Sequence, residues 1–190
     1  MGQRVRGYLG MSLDGRIAGP DDDLEWLMAS HSRPASRAVP ETRDDYLGYD
    51  DFIADVGALL MGRRTYDVVA NFDQWPYGEL LVVVATTRPL DPIVPTVTST
   101  SGTPADLVAM ARDLADGRDV YADGGQLVSG LLMAGLLDEL TTTILPTVHG
   151  PGIGLFEAVS APVPLVVTRV ATSEEGPVQL VWEPVRSADR

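Results

Sequence analysis

The chain has 190 residues, 45% of them hydrophobic, and no apolar run near the ~18 residues of a membrane helix, so we expect one cytoplasmic domain spanning residues 1–190. Its 27 acidic residues outnumber the 14 basic ones, and the formal charge of −13 argues against nucleic acid as a partner. The absence of cysteine excludes disulfides, thiolate zinc sites and cysteine nucleophiles, and the absence of lysine excludes Schiff-base chemistry.

Strand-like and helical segments alternate along the chain, a pattern that is typical of an α/β sandwich. Residues 3–11 are predicted to form the first strand, and a loop rich in glycine and aspartate follows at 12–23. The polar segment 29–41 contains two prolines and is predicted to be an exposed excursion. Apolar residues at helical spacing predict a helix over 42–56.

The middle of the chain contains three predicted strands and one well-marked helix. Residues 58–61 and 80–85 are apolar throughout, as strands buried on both faces of a sheet are, and 93–98 is predicted to be a weaker strand. The helix over 104–115 begins with a hydroxyl cap at Thr103, a proline at its first position and an early acidic residue.

The C-terminal part continues the alternation of strands and helices. A strand over 119–122 is followed by Gly124 and Gly125, which open a helix that Gly135 ends. A loop rich in glycine and proline is predicted at 146–154. Three further strands, the last two forming an antiparallel pair, are predicted at 139–145, 165–172 and 178–184.

The two adjacent glycines, Gly124 and Gly125, are the first candidate binding feature. Glycine lets the backbone approach a ligand closely, and the free N–H groups at a helix start favour a pyrophosphate. The pair equally suits an ordinary strand–helix turn. It does not form the Gly-x-Gly-x-x-Gly pattern, and no acidic ribose-binding residue follows about twenty residues later at an obvious strand end, which disfavours a Rossmann fold.

A second candidate lies where the strand at 58–61 ends. Gly62, Arg63, Arg64 and Thr65 place two guanidinium groups and a hydroxyl beside a predicted helix start, which is an arrangement suited to phosphate. A solvated basic helix start is the alternative explanation.

A third candidate, Thr86-Thr87-Arg88, follows the buried strand at 80–85, and its alternative is an ordinary polar strand end. Ligands of α/β sheets gather at the carboxyl ends of the strands. Because three such ends in one very acidic chain carry groups suited to anions, the sequence predicts a ligand with several phosphates.

The loop after the first strand reads SLDGRIAG from Ser12 to Gly19. Asp14 in this loop is a candidate to orient a substrate or to relay a proton, and an Asp-Gly turn is the alternative explanation. Trp26 is a candidate to contact a planar ring, unless it belongs to the core.

Four segments occur in the order seen in the dihydrofolate-reductase-like superfamily: SLDGRIAG, LLMGRRTYD, the strand ending in TTR, and YADGGQLVSGLLMAGLLDELTTTILPTVHGPGIGLF. The chain most resembles the branch that contains the riboflavin-pathway reductase domain and many stand-alone reductases. The resemblance implies a three-layer α/β sandwich with a mostly parallel central sheet and a C-terminal antiparallel hairpin. It also implies NADPH lying across the carboxyl ends of the strands, and a homodimer.

The resemblance further implies a site made of cofactor, substrate and catalytic residues. The residues it places on the cofactor are Ser12, Gly15, Ile17, Gly62, Arg63, Arg64, Thr65, Thr87, Arg88, Gly124, Gly125, Gln126 and Leu127, with Thr87 and Arg88 on the adenosine 2′-phosphate. Those it places around the substrate are Trp26, Tyr49, Asp50 and Phe52. Asp14 is the implied catalytic residue, with solvent water as the alternative source of the proton.

The implied reaction is hydride transfer from NADPH to a small heterocycle, either pterin-like or resembling a pyrimidinone precursor of riboflavin. One alternative is a nucleotide-binding protein without catalysis, and another is a flavin- or deazaflavin-dependent reductase. With no cysteine and only His31 and His149, the chain is expected to lack a metal site and the zinc deaminase activity of many riboflavin-pathway enzymes. Arg16 stands where those enzymes have lysine. Three acidic residues compete for the role of the pterin-binding carboxylate of folate reductases: Asp50, Asp51 and Asp55.

Overall fold

The computed structural model describes residues 3–30, 46–173 and 176–185. In chain order its strands are β1 (Val5–Ser12), β2 (Arg16–Ala18), β3 (Val56–Gly62), β4 (Leu81–Ala85), β5 (Val97–Thr100), β6 (Asp119–Asp123), β7 (Glu139–Leu145), β8 (Ile153–Gly154), β9 (Leu165–Thr172) and β10 (Val178–Pro184). Its helices are α1 (Glu25–Ser30), α2 (Tyr49–Ala54), α3 (Arg63–Val69), α4 (Pro104–Ala115) and α5 (Gly125–Met133), with a short 3-10 turn at Pro20–Asp22.

Eight of these strands form one central sheet in the order β5-β4-β3-β6-β1-β7-β10-β9. Neighbouring strands from β5 to β7 pair in parallel, whereas β10 pairs antiparallel with both β7 and β9. The short strands β2 and β8 form a separate antiparallel pair. The predicted mostly parallel sheet with a C-terminal antiparallel hairpin is therefore confirmed.

Helices cover both faces of the sheet and make it the middle of three layers. Alternate residues of a strand point to opposite faces, so β3, which is apolar throughout, supplies both cores. Ala58 and Leu60 belong to the core shared with α4 and α5, while Leu59 and Met61 pack with Phe52 of α2 and with residues of α3. The predicted three-layer sandwich is confirmed.

The helix α4 begins and ends as the local sequence predicts. The Thr103 hydroxyl accepts a hydrogen bond from the Asp106 backbone N–H at 3.3 Å, and the Asp106 carboxylate accepts one from the Thr103 N–H at 2.9 Å. This capping box satisfies backbone donors that would otherwise lack a partner at the start of the helix. Within the described ranges, no helix is long and apolar enough to cross a bilayer.

The structure corrects two of the predicted elements. The helix expected over 42–56 is observed as Tyr49–Ala54, and residues 42–45 lie outside the described residues. At the other end, Val56 starts β3, and its buried side chain joins the core. The strand expected over 93–98 is observed as Val97–Thr100. Pro92 and Pro95 explain the shift, because proline has no N–H to donate to a ladder.

Three elements were not anticipated by the sequence pattern: α1, and the pair β2 and β8 inside segments expected to be loops. The strands of this pair have three and two residues, which is too short for a recognisable alternation of apolar and polar residues. Of the predicted excursion at 29–41, residues 29 and 30 end α1, and the remainder lies outside the described residues.

Candidate active site

A cavity of about 820 Å³ opens at the carboxyl ends of β3, β4 and β6, and its size is typical of a small-ligand site. Residues of α1 and of the first turns of α3 and α5 also line it. The β2–β8 pair contributes another part of the wall through Ile17, Ala18, Ile153 and Gly154. Segments that are far apart in the sequence thus line the same cavity.

Most of the residues predicted to contact a cofactor lie on this cavity wall. They are Ile17, Gly62, Arg63, Arg64, Thr65, Arg88, Gly124, Gly125, Gln126 and Leu127. Three others do not line the cavity: Ser12 is fully buried, Gly15 lies in the turn after β1, and Thr87 is exposed beyond the end of β4. What each of them binds stays a prediction.

The turn between β6 and α5 needs both of its glycines for packing. Gly124 has a φ of 99°, and a Cβ there would collide with the hydroxyl of Thr65. A Cβ on Gly125 would stand 3.0 Å from both the Leu155 carbonyl oxygen and the Ile17 Cδ1. The two glycines therefore allow the start of α5, with its free N–H groups, to lie directly on the cavity wall.

Three guanidinium groups lie around the cavity near the ends of β3 and β4. Arg63 Nε donates to Asp67 at 2.7 Å, and Arg88 Nη2 donates to the other oxygen of the same carboxylate at 3.2 Å. Arg64 Nε donates to Asp22 at 2.6 Å. Since a guanidinium has five N–H donors, each of these side chains retains donors that an anionic ligand can use.

Asp123 is an acidic residue in the cavity that the sequence analysis missed. It ends β6 directly before Gly124, and the Tyr77 hydroxyl donates to its Oδ2 at 3.3 Å. Burial raises the pKa of Asp123 to about 6, although hydrogen bonds from the Gly124 N–H and Tyr77 oppose this shift. A carboxyl group that titrates near neutral pH inside a cavity is suited to holding or donating a proton.

Tyrosines surround this carboxyl group. Tyr8, Tyr77 and Tyr121 line the cavity with Asp123. Burial, and then the charge of Asp123, raise the pKa of Tyr77 well above its ordinary value. The Tyr77 hydroxyl therefore remains a hydrogen-bond donor at neutral pH. Asp123 could have been found from the sequence, because it directly precedes the glycine pair at the carboxyl end of a parallel strand.

Comparison with known proteins identifies the family. The profile of the RibD C-terminal domain matches residues 5–179. The chain belongs to the RibD C-terminal domain family. Solved structures that share its fold include RibD of Acinetobacter baumannii and a dihydrofolate reductase, so the chain has the dihydrofolate-reductase-like fold.

The RibD-family chain resembles one protein of known sequence and two solved structures in particular. The uncharacterized protein YwjB of Bacillus subtilis (strain 168) is 28% identical over 150 residues, which covers 78% of this chain and 80% of YwjB. A protein from Shewanella sp. PV-4, whose assignment to riboflavin biosynthesis is provisional, has a TM-score of 0.79 and 27% identity, covering 98% of this chain and 100% of that one. Dihydrofolate reductase of Enterococcus faecalis, at 13% identity, shares the fold alone, with a TM-score of 0.59 over 96% of this chain and 97% of that one.

In this RibD-family protein, the predicted catalytic residue Asp14 lies outside the cavity wall. Its carboxylate accepts hydrogen bonds from the Ser12 hydroxyl at 2.7 Å and from the backbone N–H groups of His149 and Gly150 at 2.9 and 2.8 Å. These bonds, that of Ser12 first, hold the pKa of Asp14 well below its ordinary value. Asp14 is thus an ionised contact between two loops, and its catalytic role stays a prediction.

The four residues predicted to contact a substrate also stand off the cavity wall. Trp26 of α1 packs its ring against that of His149, with 4.8 Å between centroids. Phe52 is 0% exposed and belongs to the core. Tyr49 and Asp50, in the first turn of α2, are exposed, with the Tyr49 ring 5.9 Å from that of Tyr8.

The apolar wall beside Asp123 is formed instead by neighbours of these residues. On α1, the side chains that line the cavity are Leu27 and Met28, which adjoin Trp26 in the sequence. From the sheet, Tyr8 and Leu9 of β1 contribute. Of the segments predicted to surround a substrate, the one that carries Trp26 lines the cavity through its neighbours, whereas α2 contributes no residue to the cavity wall.

Proposed function

We propose that this protein is an NADPH-dependent reductase that transfers a hydride to a small heterocyclic substrate, either pterin-like or a pyrimidinone resembling a riboflavin precursor. The observation that carries the proposal is that one cavity is lined by the glycine turn before α5, by the guanidinium groups of three arginines, and by Asp123. The Enterococcus faecalis dihydrofolate reductase of the same fold was solved with NADP(H), which supports the choice of cofactor.

The residues present suit a dinucleotide with several phosphates. Gly124 and Gly125 let the start of α5 pack closely against Thr65 and Leu155 on the cavity wall, where its N–H groups favour a pyrophosphate. Arg63 and Arg88, bridged by Asp67, offer charged donors for the adenosine 2′-phosphate. The bound cofactor would supply the hydride.

The chain's own contribution is to orient the reactants, exclude water and supply a proton. Leu27 and Ile17 give the cavity apolar sides, which limit the access of water. Asp123, with its pKa of about 6, holds a proton on its carboxyl group during part of the time at neutral pH. It would donate this proton to the substrate atom next to the carbon that accepts the hydride, with Tyr77 orienting the carboxyl group.

Titration of the purified protein with NADPH, monitored by nicotinamide fluorescence, tests the proposal. We expect saturable binding at submillimolar cofactor, and then loss of NADPH absorbance with at least one member of a panel of pterins, pyrimidinones and flavins. The absence of saturable binding would refute the cofactor assignment. Tight binding without turnover across the panel would instead favour a nucleotide-binding protein without catalysis.

Replacing Arg88 with alanine is expected to lower the preference for NADPH over NADH by about tenfold, equivalent to about 1.4 kcal/mol. The reason is that only NADPH carries the 2′-phosphate, and the effect is moderate because Arg88 is exposed and also pairs with Asp67. Dissociation constants for both cofactors provide the measurement. Arg118→Ala is the matched control, because Arg118 is an exposed arginine just before the amino end of β6. If Arg88→Ala keeps the wild-type preference for NADPH over NADH, another arginine binds the 2′-phosphate.

We also propose that the protein is a homodimer that associates through β9. This strand is at the edge of the described sheet, and Val166, Val167 and Val170 on it are 51%, 42% and 43% exposed. An edge strand with apolar side chains and unpaired backbone groups is suited to pairing with another strand. Light scattering after gel filtration should give twice the chain mass of 20.3 kDa, and a mass of one chain would refute the dimer.

A further inference from the structure

A dense set of hydrogen bonds joins the turn after β1 to the loop after β7. The two carboxylate oxygens of Asp14 accept the backbone N–H groups of His149 and Gly150, one each, at 2.9 and 2.8 Å. The Ser12 hydroxyl donates to Asp14 at 2.7 Å and itself accepts the Arg16 backbone N–H at 2.9 Å. A single carboxylate therefore binds two consecutive amides that are more than 130 residues away in the chain.

Arg16 reinforces the same connection from the other side of the turn. Its Nε donates to the Gly150 carbonyl at 3.0 Å, and its Nη1 donates to the Gly152 carbonyl at 3.2 Å and to Glu157 at 3.1 Å. The Glu157 carboxylate in turn accepts the Gly154 N–H at 2.8 Å. We refer to the side chains of Ser12, Asp14 and Arg16 with their partners in 149–157 as the loop clamp.

The segments that the loop clamp joins form part of the cavity wall. Between them lies the β2–β8 pair, from which Ile17 and Ile153 face the cavity. The Leu155 N–H donates to the Gly15 carbonyl at 3.0 Å and extends the connection. Leu155 and Ile17 are also the groups that a Cβ on Gly125 would meet at 3.0 Å. The clamped wall therefore packs directly against the glycine turn.

We propose that Asp14 is a positioning residue, which holds the wall formed by Ile17 and Ile153 against the Gly124–Gly125 turn and so sets the width of the cavity where the cofactor pyrophosphate and nicotinamide bind. This proposal rests on the proposed function. It assigns Asp14 a role that needs no contact with the ligand. The role requires a carboxylate, because two backbone donors need two acceptor oxygens, whereas asparagine would place an NH₂ group against one of them.

The low pKa of Asp14 is consistent with this role. The three hydrogen bonds stabilise the charged form and keep the carboxylate ionised at neutral pH, so the clamp does not open by protonation there. A carboxyl group that donates a proton at neutral pH would instead need a raised pKa.

The test compares Asp14→Asn and Asp14→Ala with Asp21→Asn, a matched control that removes an exposed carboxylate from the 3-10 turn after β2. In both Asp14 variants we expect faster hydrogen exchange at the amides of His149 and Gly150, and a dissociation constant for NADPH that is raised between about twofold and thirtyfold. At saturating NADPH, the nicotinamide emission should also differ from that of the wild type, because the wall near the ring has moved. A mutation that only lowers the unfolding temperature would leave that emission unchanged.

The proposal would be overturned by unchanged exchange at His149 and Gly150 in both Asp14 variants, or by faster exchange there with wild-type NADPH affinity and emission. An equal loss of NADPH affinity in Asp21→Asn would also overturn it, since the effect would then come from loop charge alone. If the wild type fails to bind NADPH, the proposed function is refuted, and exchange at the amides of Gly154 and Leu155 then decides whether Asp14 positions the wall.

Discussion

Replacing Asp123 with asparagine is expected to raise the free energy of unfolding at pH 8 by about 3 kcal/mol relative to the wild type, and to change it little at pH 4. Burial raises the pKa of Asp123 in the folded chain to about 6, from an ordinary value of 3.8. The folded state therefore binds a proton more tightly than the unfolded state does. The wild type therefore loses stability as the pH rises from about 4 through 6, because the buried carboxyl group becomes charged. The asparagine variant does not lose this stability, because its side chain carries no charge at any of these pH values.

Urea unfolding of both proteins at the two pH values gives the measurement. Asp113→Asn is the matched control, because it removes the same charge from an exposed position on α4 and should shift stability equally at both pH values. A stability gain for Asp123→Asn that does not depend on pH would contradict the assignment. The same variant lacks the proton that we assign to Asp123 as donor, so we expect its turnover to fall although its free energy of unfolding at pH 8 rises.

Replacing Gly125 with valine is expected to weaken NADPH binding by about a hundredfold, equivalent to about 3 kcal/mol. The Cβ would approach the Leu155 and Gly154 carbonyl oxygens to 3.0 and 3.2 Å, and backbone atoms cannot rotate away as a side chain does. The two additional methyl groups of valine must then push the wall and the start of α5 apart. The N–H groups that we assign to the pyrophosphate would move with the helix.

The control for this substitution lies on the same helix. Gly130→Val makes the same chemical change on the same helix, but its Cβ meets no atom within 4 Å. We expect its NADPH affinity to match the wild type within about twofold. Equal affinities for Gly125→Val and Gly130→Val, measured by fluorescence titration, would show that the glycine turn does not hold the cofactor.

The parts of the fold that were predicted correctly are those that depend on neighbours in the chain. Thr103, Pro104 and Asp106 define the start of α4 by bonds within one turn, and an apolar run such as 80–85 needs burial on both faces wherever the strand lies. The resemblance to the RibD branch added the arrangement of the sheet. The errors arose where a local pattern was ambiguous, as at 93–98, where apolar side chains favour a strand and two prolines prevent its ladder.

The candidate site was predicted in part, for a related reason. The glycine pair and the arginines after β3 and β4 were found because backbone freedom and positive charge are properties of the residues themselves. Asp14 was selected and Asp123 was overlooked, since the two aspartates look alike in the sequence, yet Asp123 lines the cavity and Asp14 does not. The two residues differ in their surroundings: the Asp123 carboxyl group faces the cavity, and that of Asp14 faces the backbone N–H groups of another loop.

The sequence by itself thus determined the kind of molecule: an acidic α/β chain without cysteine or lysine, with groups suited to anions at three strand ends. The tertiary structure decided that Asp123 lines the cavity and that Asp14 joins two loops beside it. A carboxyl group's pKa and role depend on burial and on donors brought from distant segments, such as the amides of His149 and Gly150 for Asp14, or the hydroxyl of Tyr77 for Asp123. Those donors are brought close only when the chain folds.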